Sequence, residues 1–208
     1  MPLQLPQALA DPGDSAAALL RRYYGPAFDE AGSFTGAAWD SWDSTGTRSA
    51  DVDRFTADDL VAVSLLSVDV PARAAHALLV SQVAAFSALL LQVGPDRDLV
   101  EEADELTPSW PGWQLESAIR ALPGLGRTTT SKLLARKRPR LFPIWDSVIG
   151  KVTDTDGQPF WEPLRRALRD QQLHQRLLAL RTNAGVPSSV SALRVFDVGC
   201  WMEGKTTN

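Results

Sequence analysis

From Thr56 onward the chain reads as a succession of short helices. Apolar residues recur at three- and four-residue intervals, and capping residues, proline and glycine separate the runs. Thr56 is placed to cap the first helix, with Asp58 and Asp59 in its first turn, where the helix dipole favours acids. The stretch 60–68 is largely apolar, and Pro71 opens a second helix over about 71–93. That helix holds ALLVSQVAAFSALLLQV, apolar nearly all round but broken by Ser81, Gln82, Ser87 and Gln92. Its length of about 17 apolar residues stands at the bottom of the membrane-spanning range, roughly 17–25. The centre of an all-α domain demands the same pattern, and a buried core helix is the expectation.

Residues 97–106 read as an acidic helix, 108–113 as a loop with two exposed tryptophans, and 114–121 as a short helix. Further helices are expected over about 127–137, 144–152, 159–170, 172–182 and 188–202. No strand–helix alternation follows residue 56, which excludes a Rossmann-type sheet and makes the fold mainly α. The first 55 residues differ. Gly25, Gly32, Gly36 and Gly46 punctuate aromatic pieces at Tyr23, Tyr24, Phe28, Phe34, Trp39 and Trp42. That mix suits turns and a short hairpin of strands. The expected organisation is an irregular segment, 1–55, packed on an all-α body, 56–208.

Composition narrows the function classes. The chain has 208 residues, 44% hydrophobic and 22% charged, the profile of a soluble globular protein with a core of its own. A single cysteine, Cys200, excludes disulfide frameworks, four-cysteine zinc sites and a cysteine-ligated iron–sulfur cluster. No basic-then-apolar leader opens the chain, so a cytoplasmic location is expected. The net charge of −4 argues at first against a polyanionic partner. Its distribution argues otherwise. Residues 1–117 carry 18 acids against 6 Lys and Arg, a balance of −12, and residues 118–208 carry 7 against 15, a balance of +8. The densest part of the basic half is Lys132, Arg136, Lys137, Arg138 and Arg140. A run of this kind is either a solvated helix face or a polyanion-binding surface.

The run is attached to the most informative string in the chain, ALPGLGRTTTSKLLA at 121–135. It reads as a helix, a glycine turn and a second helix starting near Arg127. Gly124 and Gly126 permit positive φ and close approach of another backbone or a phosphate. The free amides opening the second helix form an anion site, to which Thr128, Thr129 and Thr130 add hydroxyls and Arg127 and Lys132 add charge. Downstream comes LFPIWDSVI, whose Asp146 lies 18 residues beyond Thr128 at the start of a helix. Its simplest role is an N-cap accepting from Val148 or Ile149.

These two motifs, in this order and spacing, resemble the helix-hairpin-helix DNA glycosylase superfamily over about residues 114–152. There the pattern LPGxGxxTA precedes a proline-containing loop and an aspartate followed by threonine or serine, here Pro143, Asp146 and Ser147. A separate stretch, 54–67, resembles actinobacterial proteins of unknown function and supplies no chemistry. The superfamily resemblance implies a multi-helix fold with the hairpin at 114–137 and double-stranded DNA as partner, nucleoid-associated, with one base flipped out. It implies Asp146 as the carboxylate that stabilises an oxocarbenium-like sugar or activates water. Gly124, Gly126, Arg127, Thr128 and Thr129, with Lys132, Arg136, Lys137, Arg138 and Arg140, would then hold phosphates. Thr128 occupies the position where bifunctional members carry a Schiff-base lysine, so an active protein would be monofunctional. No cofactor is required, beyond a monovalent cation that the resemblance implies at the hairpin. Trp110, Trp113 and Trp145, neighbours of the two motifs, are the expected base pocket. His76 and His174 stand alone on helical patterns, and no metal site is expected. The alternatives are a non-catalytic hairpin DNA-binding module and a helical scaffold or regulatory protein.

Overall fold

The computed structural model describes residues 3–10, 14–26, 30–170 and 172–206; Phe28 lies outside them. Among the described residues there are eleven α-helices and no strand. They are α1 Gln7–Ala10, α2 Asp14–Tyr24, α3 Ala57–Ser64, α4 Ala72–His76, α5 Val83–Val93, α6 Pro111–Arg120, α7 Arg127–Lys137, α8 Ser147–Val152, α9 Trp161–Asp170, α10 Leu173–Asn183 and α11 Ala192–Thr206.

Among the described residues of the first 55 the expected hairpin of strands does not occur. Instead Ala16, Ala17, Leu20 and Tyr23 recur at helical spacing in α2 and are buried, and α2 packs on α10 and α11. The described residues of the glycine-punctuated part beyond it contain a 3-10 turn, Thr35–Ala37. One apolar cluster runs from Leu3 to Met202 and includes Trp39, so the first segment shares the core of the helical body.

The long apolar helix expected over 71–93 is broken. After α4 the chain makes a π-helical turn, Ala77–Ser81, and bends by 79° before α5. The bend falls at the polar pair Ser81–Gln82, whose Gln82 leaves helical geometry (φ −127°, ψ 18°). No single helix among the described residues is long and apolar enough to cross a membrane. The helix expected at 97–106 reduces to a 3-10 turn, Leu99–Glu101, because its acids serve as acceptors for other parts of the chain. Glu102 takes the Trp110 indole N–H at 3.0 Å and pairs with Arg97.

The buried centre is a different helix from the one hydropathy selects. Every residue of α7 from Thr130 to Lys137 is buried, although its sequence is RTTTSKLLARK. Leu133 and Leu134 fill the core on one side. On the other side the cations meet the acidic half of the chain. Arg136 donates through Nε to Asp59 at 3.1 Å and to the carbonyls of Trp39 and Trp42. Lys137 Nζ donates to Asp59 at 2.8 Å and to the Asp51 carbonyl at 2.7 Å. Arg138, only 1% exposed, pairs with Asp53 and donates to the carbonyls of Gly94, Val52 and Leu90. Arg140, closer to solvent, pairs with Asp98.

Asp59 is the hub of this seam. It also closes the capping box of α3 by accepting from Thr56 N–H at 2.9 Å, while its own amide bonds the Thr56 hydroxyl. Cations taken out of water repel one another and lose hydration, so the arrangement holds only because each finds carboxylates and carbonyls in place. Removing one partner of such a buried pair leaves uncompensated charge, which costs about 3–5 kcal/mol, whereas an exposed pair contributes under about 1 kcal/mol. Asp59→Ala therefore lowers the unfolding free energy by about 3–5 kcal/mol in urea titrations. Arg54→Ala, which breaks the solvent-exposed pair with Asp51, lowers it by less than about 1 kcal/mol.

Candidate active site

The hairpin forms as α6, a turn and α7. Leu122 and Leu125 are buried and pin the turn from inside. Gly124 adopts φ +81°, and a Cβ there would come within 2.8 Å of Pro71 Cγ, so the turn requires glycine at this point. Gly126 does not need its freedom: its backbone is extended (φ −99°, ψ 178°) and a Cβ would meet nothing within 4 Å. Its bare position does open the start of α7. The helix ladder begins with Thr130 N–H to the Gly126 carbonyl, which leaves the amides of Arg127, Thr128 and Thr129 in the first turn. Arg127 lies with its guanidinium 3.8 Å over the Trp145 ring and donates to the Gln158 carbonyl at 3.1 Å.

Ser131 joins the two sequence motifs. Its hydroxyl donates to the Trp145 carbonyl and accepts from the Trp145 amide, both at 3.0 Å. This two-way bond fixes the residue before Asp146 against α7. Asp146 caps α8, with Oδ1 accepting from the amides of Val148 and Ile149 at 3.0 Å. Its other oxygen, Oδ2, stands 3.9 Å from Lys132 Nζ. The cap and the free carboxylate oxygen thus coexist in one side chain.

Asp146, Lys132 and Thr128 line a cleft of about 460 Å³. Asp197 and Arg194 of α11 line it too, and Tyr23, Phe34 and Trp201 supply its aromatic surface. Tyr23 and Phe34 are stacked, with centroids 5.3 Å apart, and Trp201 stands edge-on to Phe34 at 5.7 Å. Lys132 is buried and donates to the Leu66 carbonyl at 2.8 Å. Burial pushes its ammonium below the usual lysine value, against the pull of Asp146 and Asp197. Arg194 pairs with Asp197, bonds Asp40 at 3.2 Å, and donates to the Tyr23 hydroxyl at 2.7 Å and the Gly36 carbonyl at 2.9 Å. A Cβ at Gly36 would collide with that hydroxyl, so this close approach also requires glycine. Asp197 is pushed up to about 6, chiefly by burial and further by the charge of Asp146, with Arg194 and Lys132 opposing.

The sequence-derived residues divide on this geometry. Asp146, Thr128 and Lys132 share the cleft, and Gly124, Gly126, Arg127 and Thr129 lie on the hairpin beside it. Trp110, Trp113 and Trp145 do not line it. Trp113 stacks on Trp161 at 4.0 Å and gives its indole N–H to the Leu106 carbonyl, while Trp110 meets Trp161 edge-on. Trp145 is covered by Arg127. Most of the basic run is turned inward: Arg140 keeps an exposed side chain, Lys132 lines the cleft, and Arg136 and Lys137 border a hollow of about 340 Å³ shared with Asp43 and Asp96. Sequence reasoning missed Asp197, Arg194, Phe34 and Trp201 as site residues. The available signal was an arginine and an aspartate three apart inside the apolar run ALRVFDVGCWM.

The family described as "Family of unknown function (DUF6308)" matches residues 16–204. No curated protein and no solved structure matches the chain.

Asp197 also sets a pH dependence of stability. Its folded value near 6 lies above the usual aspartate value near 3.9, so protons bind the folded chain more tightly. The stabilisation is complete below the unfolded value and is lost as pH rises through about 6. Relative to Asp197→Asn, the wild-type chain loses on the order of 2–3 kcal/mol between about pH 4 and pH 7. Urea titrations of both chains at each pH measure that difference.

Proposed function

We propose that the chain, which belongs to the DUF6308 family, hydrolyses the N-glycosidic bond of a base in double-stranded DNA. The observation that carries the reading is Asp146 Oδ2. It is the one oxygen of that carboxylate not engaged by the α8 amides, and its side chain lines a cleft large enough for a single base with Lys132 and an aromatic wall. Breaking an N-glycosidic bond builds positive charge on the sugar, and a fixed carboxylate at that point stabilises it or takes a proton from the attacking water. Lys132 holds Asp146 from the side and is itself tethered to Leu66.

The roles of the other residues follow. The first-turn amides of α7, with Thr128 and Thr129, hold the phosphate next to the flipped nucleotide. Tyr23, Phe34 and Trp201 receive the base, in the place first given to Trp110, Trp113 and Trp145. Arg136, Lys137 and Arg138 fix α7 in position, and exposed Lys205 in the cleft wall and half-buried Arg127 on the hairpin remain as cations for the DNA backbone. Thr128 cannot form an imine, so the reaction is hydrolysis without strand scission. The cation implied at the hairpin would be held by turn carbonyls, and no step depends on it.

The burial of Arg136, Lys137 and Arg138 favours one second reading, a free nucleoside as substrate, because these cations beside the hairpin are withdrawn from a duplex. One assay separates the two. The chain is incubated with duplexes each carrying one altered base and with the matching nucleosides, and abasic sites and free base are scored. Asparagine still caps a helix, so Asp146→Asn keeps its fold, with a melting temperature lowered by the loss of the carboxylate facing Lys132. It loses base release by at least about 100-fold. Release from nucleosides alone selects the second reading, and no release from any substrate overturns both.

A further inference from the structure

We propose that Asp197 is the proton donor of this cleft, giving its proton to a ring nitrogen of a heteroaromatic leaving base as the glycosidic bond breaks. The inference rests on the hydrolase reading and adds a substrate class: a purine-type base that departs by taking up a proton. Two carboxyl groups line one cleft from different elements, Asp146 at the start of α8 and Asp197 on α11. Their surroundings separate them. Asp146 accepts two backbone amides through Oδ1 and has Oδ2 3.9 Å from Lys132 Nζ. Asp197 is 4% exposed, has one oxygen held by Arg194, and faces the charge of Asp146. Two carboxyls in unlike settings at one cleft divide the work of acid and base.

The groups facing Asp197 are Lys132 of α7, Asp146, and Arg194 and the Cys200 thiol of its own helix. Tyr23 of α2 and Asp40 reach it across Arg194. Burial raises both Tyr23 and Cys200 above their ordinary values, so Asp197 is the acid among them that exchanges its proton near pH 6. The step balances. The C1′–N bond pair goes to the base, which takes the Asp197 proton and leaves neutral. Water adds to C1′ and loses a proton to Asp146, and that proton returns to Asp197 before the next turnover.

Free adenine is the probe for a test that needs no turnover. Calorimetric titration into the full-length chain gives an affinity that falls about tenfold per pH unit above about 6, the slope of one linked proton. Asp197→Asn shows weak, pH-independent binding, and Asp146→Asn keeps the wild-type slope. A flat wild-type profile between about pH 5 and 7.5 overturns the proposal even if Asp197→Asn fails to fold, and so does unchanged affinity in a folded Asp197→Asn. If adenine binding is proton-linked but no duplex or nucleoside is cleaved, the hydrolase reading falls and the proton contact stands. If cleavage occurs, Asp197→Asn slows release of hypoxanthine at least tenfold and spares guanine methylated at N7, whose ring already carries positive charge. Equal slowing of the two overturns it.

Discussion

The pairing of the α7 cations with the acidic first half of the chain is the constraint on which the rest of this fold depends. Arg136 and Lys137 converge on Asp59, and Arg138 reaches Asp53 and the carbonyls of Val52, Leu90 and Gly94. An isolated ion in a protein interior loses several kcal/mol of hydration, so none of these side chains could be buried alone. The acids come from residues before 117 and the cations from residues after it. The split from −12 to +8 is thus closed inside the molecule.

That seam positions the cleft. Thr128, Lys132 and Arg136 are four residues apart and share a stripe of α7. Arg136 fastens the stripe to Asp59, Trp39 and Trp42, while Lys132 and Thr128 emerge one and two turns earlier in the cleft. Ser131, beside them, holds the backbone of Trp145 and therefore sets where Asp146 starts α8. A change at the seam is felt at Asp146 through a single helix.

Much of the helical pattern was legible because it rests on local chemistry. The Thr56 cap, the α7 boundaries and the need for glycine at 124 follow from capping rules and from a turn that requires positive φ. The linkage of the hairpin to Asp146 was also readable as a spacing. Burial was not. Hydropathy selects α5 as the central helix, yet α5 leaves Leu91 64% exposed and α7, rich in Thr, Lys and Arg, is enclosed. A window over one segment scores a cation as a solvent residue, and only its long-range partners decide otherwise. The cleft's aromatic wall failed for the same reason. Tyr23, Phe34 and Trp201 meet across more than half the chain, whereas Trp110 and Trp113, near the motif in sequence, found Trp161 instead.

The charges that line and back the cleft alternate in a row: Asp146, Lys132, Asp197, Arg194 and Asp40. With all five ionised, three carboxylates face two cations in a buried setting, and the surplus is negative. Protonating Asp197 removes that surplus and leaves two carboxylates against two cations. Burial in this low-dielectric setting is what raises Asp197, the most buried carboxyl of the row, above the ordinary aspartate value. A neutral ring can then enter without disturbing the balance, and positive charge that develops on a bound ligand meets Asp146, whose free oxygen faces a single lysine.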